Sequence, residues 1–256
     1  MSSPLFDLRG RVALITGGSK GIGQAIARGF AEAGADVVIS SRHEDDLRAA
    51  AADIRHGLDT GVATIVADMT KRDDVKRLAE TAAHAFGRID ILVNNAGTNR
   101  PQQLVAIEDE DWDRIVELNL NSCMALSRCI VPEMKQHRWG RIIYISSIMG
   151  LSSFPGRAAY SATKSALIGL CRAAALELGD FGITVNCIAP GPIHTALPVN
   201  VLTEQERKAV AARTALGRWG HPREVAGPAL LLASEAGNYI TGSMLVVDGG
   251  ILARAF

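Results

Sequence analysis

RVALITGGSKGIG, residues 11–23, is the stretch whose reading decides the fold. Residues 12–15 form a short apolar, β-branched run of the kind that makes a buried strand. Directly after it come four glycines within seven positions, and from residue 22 to residue 33 apolar side chains recur three and four apart, as in an amphipathic helix. A glycine turn between a strand and a helix suits a pyrophosphate. Glycine lets the backbone bend and approach the phosphates closely, and the helix N-terminus supplies unpaired amide donors and a favourable dipole. An ordinary βα turn also tolerates glycine, so the strand before and the helix after carry the inference. The candidate cofactor residues here are Gly17, Ser19, Lys20, Gly21, Ile22 and Gly23.

Outward from this unit the pattern repeats. Strand-like runs fall at residues 12–15, 37–39, 64–66, 89–93, 142–145, 184–188 and 244–247, and helical periodicity at 22–33, 47–54, 75–86, 112–135 and 160–178. Parallel strands need crossover connections, and those are right-handed. The alternation therefore predicts an α/β fold: a doubly wound, Rossmann-type, mostly parallel sheet of seven strands with helices on both faces, as a single domain over residues 1–256. Ligands in such sheets bind beyond the carboxyl ends of the strands. One long connection, residues 191–220 with a helical pattern at 203–213, is expected to be a substrate lid.

The second strand chooses between cofactors. An NAD site normally ends that strand with an acid that binds the adenosine ribose hydroxyls. Here the place reads Ser40-Ser41-Arg42, with no acid to repel the extra phosphate of NADP and an arginine able to bind it. Lys20 is a second cation nearby. Ser41 and Arg42 join the cofactor set, and NADP(H) is the expected cofactor, with NAD(H) as the alternative.

Tyr160 and Lys164 lie four apart at the start of a helical pattern, on one face. A phenol with an ordinary pKa of about 10 needs roughly 4 kcal/mol of phenolate stabilisation to exchange protons near neutrality, and an adjacent ammonium works in that direction. Residues 142–145 form a strand that ends in Ser146-Ser147, so a hydroxyl sits at a ligand-facing strand end.

These residues resemble the short-chain dehydrogenase/reductase family over nearly the whole chain. TGGSKGIG is similar to its TGxxxGxG loop, Asn94-Asn95-Ala96-Gly97 to its NNAG turn, and Ser147, Tyr160 and Lys164 to its catalytic set. Asn119 in ELNL matches its helix asparagine, and Pro190-Gly191 followed by Ile193 and Thr195 matches the turn after its sixth strand. The resemblance implies hydride transfer between a nicotinamide and an alcohol or ketone. Tyr160 would be the acid/base, Ser147 the hydrogen-bond donor to the substrate oxygen, and Lys164 the ribose ligand that lowers the tyrosine pKa. Asn119 would anchor a water that relays protons. It further implies Asp68 and Met69 as adenine contacts, Asn95, Ala96 and Gly97 beside the adenosine half, Pro190 and Gly191 beside the cofactor, and Ile193 and Thr195 at the nicotinamide. A homotetramer is implied as well.

Two branches of the family compete. Residues 213–225 and 246–253 resemble bacterial gluconate 5-dehydrogenases, whereas residues 140–150 resemble 3-oxoacyl-carrier-protein reductases equally well. A sugar acid such as gluconate/5-ketogluconate is the first expectation and a 3-oxoacyl thioester the alternative. Arg100, Arg157 and His194 are candidates for a substrate carboxylate. A non-catalytic NADP-binding sensor would not need serine, tyrosine, lysine and asparagine in register. A sugar-nucleotide epimerase would carry GxxGxxG spacing and a larger carboxyl-terminal domain.

Composition narrows the field. Lys plus Arg equals Asp plus Glu at 27 each, which gives no field for nucleic acid or anionic lipid. No apolar run spans a bilayer and the N-terminus lacks a leader pattern, so the expectation is a cytoplasmic protein with no membrane partner. Cys123, Cys129, Cys171 and Cys187 lack metal-ligand spacing and read as reduced core residues. No histidine pair suggests a metal. Trp112, Trp139 and Trp219 read as packing or interface residues.

Overall fold

The computed structural model describes residues 4–195 and 202–253. Seven strands, β1 (Val12–Thr16), β2 (Asp36–Ser41), β3 (Val62–Val66), β4 (Ile91–Asn94), β5 (Gly140–Ile145), β6 (Ile183–Pro190) and β7 (Met244–Val247), form one sheet in the order β3-β2-β1-β4-β5-β6-β7. Every pairing is parallel. Around it lie α1 (Gly21–Glu32), α2 (Glu44–Arg55), α3 (Arg72–Phe86), α4 (Asp109–Val116), α5 (Ser122–His137), α6 (Ala158–Leu178), α7 (Glu204–Arg213) and α8 (Arg223–Ala233).

The pleat sorts each strand between two cores. Leu14, Val38, Leu92, Ile142 and Val185 stand in register and pack with apolar residues of α3, α5 and α6. Their strand neighbours Ala13, Ile15, Val37, Ile39, Ile91, Val93 and Ile143 pack with α1, α2 and α8 on the other side. Each helix buries one stripe. In α1 the stripe is Gly23, Ile26, Ala27, Phe30 and Ala31, and in α3 it is Val75, Leu78, Ala79 and Ala82. The chain winds outward from β1 to β3 and returns to β4, so β1 and β4 flank the reversal point, where a crevice opens at their carboxyl ends.

Three elements differ from the sequence pattern. The expected helix at 112–135 is two helices joined by a π-helical turn, Glu117–Asn121. The wider turn carries Asn119, which is fully buried, and such turns concentrate at functional positions. Strand β4 begins at Ile91 because Asp90 and the residues before it serve the connection: Asp90 accepts the Val12 amide and pairs with Arg88. Helix α8 is masked in the sequence by Gly227 and Pro228. Residues 196–201 of the expected lid lie outside the described residues; the rest includes α7, capped by a reciprocal Thr203–Glu206 box.

Candidate active site

Thr16, the last residue of β1, fastens the two strands that flank the crevice. Its hydroxyl accepts the amides of Asn95 and Ala96, both at 3.0 Å, while Asn95 Nδ2 donates to the carbonyls of Thr16 at 2.8 Å and Gly17 at 3.1 Å. The glycine loop leans on this knot. Gly17 and Gly21 have φ of +63° and +59°, and a Cβ on Gly23 would stand 2.4 Å from the Gly17 carbonyl oxygen. A Cβ on Gly21 would meet the Thr195 methyl at 3.1 Å, so the segment after β6 closes over the loop.

At the carboxyl ends of β4 and β5 the predicted catalytic residues converge. Asn119 Oδ1 accepts the Thr98 amide at 2.9 Å, and its Nδ2 donates to the Thr98 carbonyl at 2.9 Å and to Thr163 Oγ1 at 3.3 Å. Lys164, 4% exposed, donates from Nζ to the Ile145 carbonyl at 2.7 Å, with Nζ 5.5 Å from the centre of the Tyr160 ring. A Cβ on Gly97 would lie 3.2 Å from Asn119 Oδ1 and 3.5 Å from Lys164 Nζ, which places amide and ammonium at one wall. Ser146 anchors β5 to α6 by donating to the Lys164 carbonyl at 2.8 Å, leaving the next hydroxyl, Ser147, at the cavity.

That cavity, about 430 Å³, is lined by Ile22, Asn95, Gly97, Ser147, Tyr160, Lys164, Pro190, Gly191, Ile193 and Thr195 among others. It gathers three of the four expected catalytic residues, Ser147, Tyr160 and Lys164, while the buried Asn119 stands behind Gly97. Of the three candidate carboxylate ligands, only Arg157 lines it. Arg100 pairs with Asp111, and His194 lines a neighbouring cavity with Arg28, His56 and His221. Burial pulls the Arg157 guanidinium below its ordinary pKa.

The adenosine side is more open. Arg42 is exposed and makes no hydrogen bond or ion pair among the described residues, whereas Lys20 is held by Asp46 at 2.7 Å. Burial tends to raise the Asp68 carboxyl, but hydrogen bonds from Thr70 and the charges of Arg42 and Lys71 outweigh it and hold it below the usual range. Met69 is buried in the core beneath β1 and β2, which leaves its main chain as the part near any ligand.

Some residues depart from the sequence reading. Trp219 lines the cavity, with Nε1 donating to the Arg207 carbonyl at 2.9 Å, and Trp139 is stacked between two arginines. Cys123, Cys171 and Cys187 are buried free thiols. Cys129 is exposed, because it falls on the outward stripe of α5. Leu202, Val210 and Arg213 of the expected lid segment line the cavity without having been singled out in the sequence, the Arg213 guanidinium 4.7 Å over the Phe154 ring, and Ile251 lines it from outside that segment. No local pattern marks these residues, since chain folding alone brings them to the site.

Residues 17–252 match the family model described as Enoyl-(Acyl carrier protein) reductase. The chain belongs to the short-chain dehydrogenase/reductase family. It is an oxidoreductase acting on CH–OH groups. It is 38% identical over 245 residues to the 3-oxoacyl-[acyl-carrier-protein] reductase of Thermotoga maritima, covering 96% of this chain and 99% of that protein. The Escherichia coli enzyme of the same name is also 38% identical, with 96% and 98% covered. A Beutenbergia cavernae structure, described as a candidate NAD(P)-dependent gluconate 5-dehydrogenase with NADP bound at low occupancy, superposes with a TM-score of 0.93. It is 38% identical, with 98% of this chain and 100% of that chain covered. A candidate gluconate dehydrogenase from Agrobacterium tumefaciens gives 0.93 at 33% identity with the same coverage.

The family binds a nicotinamide cofactor, and the residues present fit one. The loop glycines leave a cradle that a Cβ would fill, and two buried polar atoms beside the crevice, Ser40 Oγ and Asn99 Oδ1, have no partner among the described residues. Among those residues no helix is long and apolar enough to cross a membrane.

Proposed function

We propose that this chain is an NADPH-dependent reductase that turns the ketone of a 3-oxoacyl thioester into a secondary alcohol, with Tyr160 as general acid. The observation that carries the substrate class is the wall of the cavity. Beyond the catalytic groups it is mostly apolar, built from Ile148, Met149, Phe154, Pro155, Ile193, Leu202, Val210, Trp219 and Ile251. An acyl chain buries favourably there, at about 25 cal/mol per Å² of apolar surface, whereas a polyol would lose hydrogen bonds to water without replacement. The names of the curated relatives support the same reading.

The sugar-acid reading has its own support. Arg157 and Arg213 both line the cavity and would suit a carboxylate, and the two structural neighbours above are candidate gluconate dehydrogenases. It ranks second because the neutral polar residues that could meet its hydroxyls, among them Thr98 and Asn99, are outnumbered in the wall by apolar side chains.

In this reading the glycine loop, residues 17–23, holds the pyrophosphate at the start of α1, and Ser41 and Arg42 receive the 2′-phosphate, with Lys20 contributing once released from Asp46. Asp68 and the Met69 main chain would hold the adenine, Asn95, Ala96 and Gly97 the adenosine half, and Pro190, Gly191, Ile193 and Thr195 the nicotinamide. The bound nicotinamide supplies the hydride. Ser147 donates a hydrogen bond to the ketone oxygen and Tyr160 gives it a proton. Lys164 stabilises the resulting phenolate through its charge, and Asn119 fixes the Thr98 main chain next to Gly97, beside that ammonium. Residues 191–220 act as the lid, and the unit is a cytoplasmic homotetramer.

The test is a spectrophotometric assay of NADPH and NADH oxidation with an acetoacetyl thioester and with 5-ketogluconate, using Tyr160→Phe as control. Turnover of the thioester with NADPH that vanishes in the variant supports the proposal. Preferential turnover of 5-ketogluconate would replace it with the sugar-acid reading, and preference for NADH would remove the role given to Arg42.

A further inference from the structure

At the opposite end of the sheet from Tyr160, the amino ends of β1, β5 and β6 and residues 235–241 enclose a second cavity of about 370 Å³. Three guanidinium groups line it, from Arg11, Arg138 and Arg141, and the Trp139 indole lies between two of them, 3.7 Å from Arg11 and 4.2 Å from Arg141. Arg11 is spoken for by Asp90 at 3.6 Å and Glu235 at 3.9 Å, and Arg138 donates to the Asp180 carbonyl at 2.6 Å. Asp90 also pairs with Arg88.

Arg141 is the anomaly. It is 2% exposed, and among the described residues no carboxylate lies within ion-pair distance of it, Glu235 acting on it only from further off. Its Nη atoms reach only neutral acceptors, the carbonyls of Gly140 and Gly182 and the side chain of Asn238. Its Nε is buried without a partner among the described residues, and so is Oγ1 of Thr184, another residue of the same cavity. Buried charge is costly unless it is paired, and an unmade hydrogen bond from such a group costs its full desolvation. The facing charges are Arg11, Arg138 and Arg141 against Glu235 alone, with Asp90 behind, already shared by Arg11 and Arg88.

We propose that this cavity binds an oxyanion of the phosphate class, free or as the end group of a small phosphorylated metabolite. Three guanidinium groups against one carboxylate leave the cavity electropositive, the planar guanidinium fork matches a tetrahedral oxyanion, and the volume exceeds what one phosphate fills. The site is separate from the catalytic one. Strand β5 carries Arg141 at one end and leads to Ser147 at the other, six residues on, a span of about 20 Å at the usual rise.

Trp139 makes the test local. In a Trp112→Phe, Trp219→Phe background, its emission is titrated with sodium phosphate and with glycerol 3-phosphate, against sodium chloride at matched ionic strength. A saturating change with phosphate that chloride does not produce is expected. Tighter binding of glycerol 3-phosphate assigns the rest of the cavity to an organic part; equal binding assigns the site to the phosphate alone. Arg138→Asn, at an exposed position whose left-handed φ of 52° asparagine tolerates, should weaken binding at least tenfold, and Arg141→Met should abolish it. Arg42→Ser should leave the titration unchanged, which separates this site from the nucleotide crevice. A response no different from chloride, or one that survives in folded Arg138→Asn protein, overturns the proposal.

Discussion

Around the glycine loop the candidate residues are held by main-chain geometry. Thr16 and Asn95 knit β1 to β4 across 79 positions through fixed hydrogen bonds, and glycines sit where a single Cβ would collide with a carbonyl. Around the lid, contact is made by side-chain ends: the Arg213 guanidinium over Phe154, and Leu202, Val210 and Trp219 against a cavity whose floor is β5. The first region admits one ligand shape. The second can change its ligand by exchanging a few side chains, and family members that share the first can diverge in the second.

The sharpest way to test the junction of the two regions is Tyr160→Phe, which removes the proton donor and leaves the ring in place. The expected loss is about 100- to 10,000-fold in kcat with KM little altered, measured by NADPH oxidation. A comparable loss in KM with kcat preserved would mean that Tyr160 belongs to the binding wall. Next in size is Gly23→Ala. The added Cβ would lie 2.4 Å from the Gly17 oxygen and 2.5 Å from Asn95 Nδ2, so the knot must open. We expect nucleotide binding to fall below detection by calorimetry, with a stability loss of about 1–3 kcal/mol in urea unfolding. Gly169→Ala, with nothing within 4 Å of the added carbon, is the control that should do neither.

The same contrast explains how much could be read from the sequence. Spacing points to the glycine loop, the Tyr160–Lys164 pair and the strand-end Ser146 and Ser147, because each depends on local geometry: helix period, strand alternation, and the intolerance of a tight turn for a Cβ; the family resemblance selects Ser147 and gives the pair its role. Asn119 was legible by family resemblance, but the π-helical turn that carries it was not, since an apolar period running through 112–135 looks the same with or without one wide turn. Arg213 and Trp219 lie in the expected lid segment, but which of its residues reach the cavity depends on how the long connection folds back. Arg100 shows the converse. It looks available in NNAGTNR, yet it is committed to Asp111, a partner that only tertiary structure brings near.

Two smaller effects separate the regions by ligand. Arg42→Ser should weaken NADPH by about 10- to 100-fold, on the scale of about 1.5–3 kcal/mol for a charged hydrogen bond, and leave NADH unchanged. Equal losses for both nucleotides in a fluorescence titration would assign Arg42 to the adenosine they share. Arg213→Ala should leave both nucleotides alone and raise KM for an anionic substrate roughly two- to fivefold, the range of a partly exposed charge pair. An uncharged ketone should show no change. If it suffers equally, Arg213 acts by holding Phe154 in place.

The smallest expected effect lies where the proposed lid joins the scaffold. Arg218 grips both oxygens of Glu224, at 2.7 and 2.8 Å, and the His221 amide adds a third bond at 2.7 Å, fastening the end of the lid to the first turn of α8. The hydrogen bond from Arg218 comes first among the causes that lower the Glu224 pKa to about 2. A carboxyl depressed in the folded state contributes stability that is full above its unfolded pKa, near 4.5, and is lost as pH falls through the folded value. The window therefore runs from about pH 4.5 down to about 2. Because the group is exposed, salt screens the attraction and the contribution is slight. Glu224→Gln should flatten the fall in Tm within this window and leave the neutral-pH nucleotide affinity untouched. A change in nucleotide affinity instead would mean that the lid anchor reaches through Ile193 and Thr195 to the glycine loop, and that the two regions are mechanically one.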